Sequence, residues 1–130
     1  MPLKSTIEKA HKDEQEGKSP STQAGEFVKE EIDRIRKGEH GARSAKQAIA
    51  IGLSEARRAG VKLPPPKNAS PEVQKKAEQD SKAAESHKKV SRKRSQATTR
   101  ALKRESTASA SHSALSEQAR SAARKRSKNR

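Results

Sequence analysis

The run SAKQAIAIGLSEARRAG, Ser44 to Gly60, is the part of this 130-residue chain where apolar residues are densest and most regularly spaced. Ser44 is a natural N-cap, and Gln47, three residues on, can reach back as in a capping box. Ala45, Ala48, Ile49, Gly52, Leu53 and Ala56 then fall at helical spacing on one continuous face. Ile51 flanks that face, while Glu55, Arg57 and Arg58 are left for solvent or a partner. Gly60 predicts a left-handed C-cap with Val61 folding back on the last turn. Pro64, Pro65 and Pro66 forbid any continuation of the helix.

Working outward, a second helix is expected just upstream, over residues 23 to 37. Val28, Ile32 and Ile35 recur at i, i+4 and i+7, with Phe27 and Glu31 on the shoulder. Glu26, Glu30, Glu31 and Asp33 precede Arg34, Arg36 and Lys37, an order that suits the helix dipole. Gly38 supplies the stop, and GEHGAR, residues 38 to 43, leads into the Ser44 cap. Two amphipathic helices joined by a loop of this length predict a helical hairpin. Its core would be Phe27, Val28, Ile32, Ile35, Ile49 and Leu53, with Ala56 added from the second helix. So few buried side chains make the pair marginal alone, and homodimerisation or docking onto a partner is expected.

The flanks read differently. Residues 1 to 22 form a flexible polar lead, briefly helical around Ser5 to Glu16, with Gly17, Ser19, Pro20 and Ser21 as a linker. Residues 64 to 70 are a stiff proline-rich spacer. Ser70-Pro71-Glu72 has the order of a helix start: cap, proline at the first position, acid in the first turn. Beyond it, residues 71 to 130 form a basic low-complexity arm with nascent helices. Its apolar residues up to about 104 are little more than Val73, Ala77, Ala84 and Val90. A last short helix, Ala114 to Lys125, is expected to start on a Ser113 cap, with Leu115, Ala119 and Ala122 on one face.

Composition explains why so little is expected to fold. Only 28% of the residues are apolar, 36% are charged, and the net charge is +15. Such a chain buries too little apolar surface to offset its ordering entropy. The predicted class is therefore all-α: a small helical hairpin with a basic, largely disordered or conditionally helical C-terminal arm. The charge is uneven. Met1 to Leu63 holds 13 Lys and Arg against 10 Asp and Glu; Pro64 to Arg130 holds 18 against 6, a net of +12. A near-neutral module with a basic arm suits a polyanion. With no cysteine, disulfides and thiolate zinc sites are out of reach. No apolar run approaches membrane-spanning length and no signal sequence is visible, so a cytoplasmic, soluble protein is expected.

The candidate chemistry is electrostatic. His11, His40, His87 and His112 are scattered, without carboxylates at metal-ligand spacing, and no serine sits in a nucleophile constellation. Catalytic residues, metal and cofactors are therefore expected to be none, and the protein no enzyme. GEHG lacks a Walker lysine and a preceding strand, although His40 lies between two glycines whose amides could hold an anion. Phosphate contacts are assigned to Lys88, Lys89, Arg92, Lys93, Arg94, Arg100, Lys103, Arg104, Arg124, Lys125, Arg126 and Lys128. Arg43, Lys46, Arg57 and Arg58 form a secondary basic surface. Lys and Arg in such clusters give sequence-tolerant affinity by releasing condensed counterions. With Phe27 the sole Phe, Tyr or Trp, base-stacking platforms are scarce, which favours backbone contacts to duplex DNA or structured RNA over single-stranded readout; of the two, duplex DNA is the expected partner.

The run RSAKQAIAIGLSEARRAG also resembles a box, close to SRKQAIAIALSEARKAG, found in small basic bacterial proteins, some of them called plasmid stabilisation proteins. The resemblance is close over Lys37 to Gly60 and looser over the tail, SRKRSQATTRALKRESTASASHSALSEQARSAARKR. Ala45 stands where that box is often basic, which weakens the position as a phosphate contact. The resemblance implies a bacterial cytoplasmic setting. Taken together, these readings predict a non-enzymatic, sequence-tolerant nucleic-acid binder, nucleoid- or plasmid-associated. The alternative is a protein–protein adaptor whose hairpin dimerises or docks a partner.

Overall fold

A computed structural model describes residues 3–65, 69–86 and 92–128, and all regular structure among them is helical. The α-helices are α1 (Lys4–Gln15), α2 (Pro20–Arg36), α3 (Ala45–Arg58), α4 (Pro71–Ser86), α5 (Arg92–Lys103) and α6 (His112–Lys128). A short 3-10 turn, Thr107–Ala110, precedes α6.

Local signals set most of these boundaries. The Ser44 hydroxyl accepts from the Gln47 amide at 3.1 Å, and Gln47 Oε1 reaches back to the Arg43 amide. Ser70 caps α4 in the same way through the Val73 amide, with Pro71 at the first helical position. Gly17, Gly38 and Gly60 take φ values of 78°, 81° and 103° as α1, α2 and α3 end. After each, the next amide returns to a carbonyl five residues back, as Val61 does to Ala56 O at 3.0 Å. The three helices thus share one C-terminal closure.

Helical structure exceeds what the sequence reading expects. The brief helix expected around Ser5 to Glu16 is α1, and the lead is not loose there: α1 buries Ala10 and sets Ile7 against the core. Ser19-Pro20 is a helix start and not a linker: Ser19 Oγ caps the Thr22 amide at 3.3 Å, so α2 begins at Pro20. Within the expected nascent helix over 71 to 104, the described residues form α4 and α5. The cap of α6 is Ser111, bonded to the Ala114 amide at 3.1 Å, not Ser113. On α6 Leu115 and Ala122 are half-buried, whereas Ala119 is exposed. Where a largely disordered or conditionally helical arm is expected, most of the described residues are helical. Val90 lies outside the described residues.

The chain divides into two compact units, Met1–Glu31 with Ala50–Val90, and Ile32–Ile49 with Ser91–Arg130. In the first, Ala10, Ala24, Phe27, Ala56 and Val61 form the core, with Ile7, Leu53, Ala59 and Leu63 packed against it. Phe27 is fully buried, and Val28 meets Gly52 so closely that a Cβ there would lie 2.6 Å from Val28 Cα. The two helices touch where α3 has no side chain. In the second unit, Ile35, Ala42, Ala48 and Ala110 are buried together beside Ile32. Of the expected core, Phe27 and Ile35 are buried, while Val28, Ile32, Ile49 and Leu53 are half-buried.

Candidate nucleic-acid interface

Within the second unit, the loop after α2 is stitched to the segment after α5. The Gly41 amide donates to Leu102 O at 2.8 Å, and the Ala42 amide to Ser106 O at 3.0 Å. Arg36 Nε adds a bond to Ala110 O at 2.9 Å. A side chain at Gly41 would fall on the Glu105 carbonyl, so only glycine permits this approach. These bonds occupy the Gly41 and Ala42 amides, and the Gly38 and Glu39 amides donate to Ile35 O and Arg34 O, so the glycine amides on either side of His40 are taken and do not hold an anion. His40 turns Nδ1 onto Gly41 O at 2.9 Å.

The segment so anchored bears α5. Residues 92 to 101 are all exposed, and Leu102 is the first half-buried position. Arg92, Lys93, Arg94, Arg100 and Lys103 lie on α5, with exposed Arg104 just beyond it, and no acid occurs between 92 and 104. Three cations crowd the first turn of α5, where the helix dipole is positive and acids would be favoured. Cations placed there cost helix stability unless an anion is near. Arg124, Lys125 and Arg126 are also exposed but sit toward the C-terminal end of α6, where cations suit the dipole. The two clusters look alike in sequence and differ in this respect. Lys88 and Lys89 lie outside the described residues, as does the side chain of Lys128.

The secondary basic surface divides. Arg43 and Lys46 are exposed at the start of α3. Arg57 is a correction: it is 7% exposed, and its guanidinium donates to Leu63 O at 2.9 Å and to Pro64 O at 3.4 Å. It ties the proline segment to α3 and offers no free charge. Arg58 is committed to Asp80 of α4 at 2.8 Å. Asp80 is 1% exposed and also accepts from Ser54 Oγ at 2.7 Å and Lys76 Nζ at 3.0 Å. Burial pushes its carboxyl up, but the bonds from Ser54, Arg58 and Lys76 outweigh this and hold it below its usual 3.8. This cluster, absent from the sequence reading, joins α3 to α4 within the first unit.

The fold also sorts the charge. The second unit holds 17 Lys and Arg against 4 Asp and Glu, net +13; the first holds 14 against 12, net +2. The imbalance is sharper than the linear halves suggest, because Arg34, Arg36, Lys37, Arg43 and Lys46 join the basic side. Elsewhere, a cavity of about 20 Å³ lined by Ile7, His11, Phe27 and Val61 has room for about one water molecule. Among the described residues no three His, Asp or Glu side chains cluster to hold a metal, and no helix is long and apolar enough to cross a membrane.

Residues 19–67 match the model of a family of unknown function, DUF6496. That span takes in α2 and α3 and stops short of α4, α5 and α6. No curated protein and no solved structure matches the chain.

Proposed function

We propose that the protein is a non-enzymatic, sequence-tolerant nucleic-acid binder that grips the phosphate backbone, with duplex DNA as the preferred target. In this reading α2 and α3 form a helical hairpin that serves as scaffold, and the basic residues of the second unit form the contact surface. The setting is cytoplasmic, at a nucleoid or plasmid. The observation that supports it is the first turn of α5: Arg92, Lys93 and Arg94 are exposed against the helix dipole, and that turn carries no acid. A phosphate backbone relieves that repulsion and releases its own counterions.

The test is the triple substitution Arg92→Gln, Lys93→Gln and Arg94→Gln in the full chain. Helicity should hold or rise, while affinity for random-sequence duplex falls at least tenfold. The log–log salt slope should shrink by about 0.9 for each phosphate that is no longer neutralised. Unchanged affinity contradicts the reading.

A further inference from the structure

We infer that α5 enters the major groove of duplex DNA, presenting the face that carries Lys93, Ala97 and Arg100. The inference rests on the nucleic-acid reading and names the groove and the helix face.

Three observations combine. First, α5 is held at its C-terminal end, by Gly41 on Leu102 O and Ala42 on Ser106 O, and is exposed at every position from 92 to 101. Ten residues extend about 15 Å at 1.5 Å each. A groove can admit only an element that is free over this kind of length. Second, the cations are arranged around the helix. At about 100° per residue, Lys93 and Arg100 share one face, Arg92 and Lys103 flank it on one side, and Arg94 flanks it on the other. A helix lying on a single phosphate strand needs one stripe. Flanking cations on both sides fit two strands with a groove between them.

Third, the one half-buried position of α5 is on the opposite face. Leu102, the half-buried residue, lies opposite Lys93, and Ser95, Thr98 and Thr99 surround it. The Thr99 hydroxyl is turned onto Ser95 O at 2.9 Å. Between the flanking cations, Ala97 is small enough to let the helix axis approach base edges. A helix about 10–12 Å across matches the B-form major groove, about 12 Å wide, and exceeds the minor groove at about 6 Å. The deep, narrow major groove of A-form RNA excludes it.

Two measurements test this on the full chain. Ala97→Glu and Thr98→Glu make the same charge change at neighbouring exposed positions, one on the groove face and one beside Leu102. Groove insertion predicts at least a tenfold larger loss of duplex affinity for Ala97→Glu; equal losses overturn it. A duplex carrying glucosylated 5-hydroxymethylcytosine keeps its phosphates but fills the major groove. At least tenfold weaker binding than to the unmodified duplex is expected. Equal binding to both duplexes overturns the groove assignment while leaving the phosphate reading intact. Failure to bind either duplex in a salt-dependent way overturns the phosphate reading as well.

Discussion

Asp80 shows how one buried carboxylate joins two helices of a polar protein. Its three donors come from α3 and from its own helix, so removing it strands Ser54 and Arg58 together. Asp80→Ala should destabilise the first unit by about 1–3 kcal/mol, read by denaturant unfolding; loss at the high end is not expected because Arg58 and Lys76 remain partly solvated. The folded carboxyl lies below its unfolded value of 3.8. Its contribution is therefore complete well above that pH and is lost as pH falls through the folded value. Helicity followed from pH 6 downwards should fall steeply in the acid range, and Asp80→Asn should flatten that fall. Gly52 is the second residue where geometry leaves no latitude. Gly52→Ala places a methyl 2.6 Å from Val28 Cα, a backbone atom that cannot turn aside. A destabilisation of about 1–3 kcal/mol is expected despite the better helix propensity of alanine.

At the scale of elements, helix ends were the most legible feature. Ser44, Gly38, Gly60 and Ser70-Pro71 act locally, through bonds to residues at most five away, so sequence spacing reveals them. Ser19-Pro20 carries the same cap-and-proline signal as Ser70-Pro71 but stands among Gly17 and Ser21, where linker composition masks it. Ser19→Ala should cost about 1 kcal/mol of thermal stability; no change would mean that the α2 start is held by packing alone. What the sequence could not display is anything decided by distant partners. The approach of Gly41 to the Glu105 carbonyl, the burial of Asp80 and the turning of Arg57 onto Leu63 O all depend on where another segment lies. The expectation of a largely disordered or conditionally helical arm followed from its lack of apolar residues. Its described residues are nonetheless mostly helical, anchored at a few points by the burial of Ala77, Asp80 and Ala110 and by backbone bonds such as Ala42 to Ser106 O. Composition scales register neither. For the candidate site, the basic clusters were visible as clusters, and the expected helix to Lys125 put one of them at a C-terminal end, but the start of α5 at Arg92, hence that cluster's relation to the dipole, was not.

For the whole molecule, the central feature is the partition of charge, net +13 in one compact unit and +2 in the other. Like charges so gathered repel one another, and a polyanion relieves that repulsion by neutralising them. Stability should follow: added duplex DNA should raise the thermal midpoint in a salt-dependent way, as expected for a ligand that binds the folded chain in preference to the unfolded one. The most direct measurement is a salt titration of full-chain binding to a random-sequence DNA duplex, beside an RNA hairpin of equal charge. The account predicts tight binding to the duplex at low salt and a log–log slope corresponding to about six or more phosphates at roughly 0.9 each, with weaker binding to RNA. Weak binding to both that barely changes with salt would contradict it.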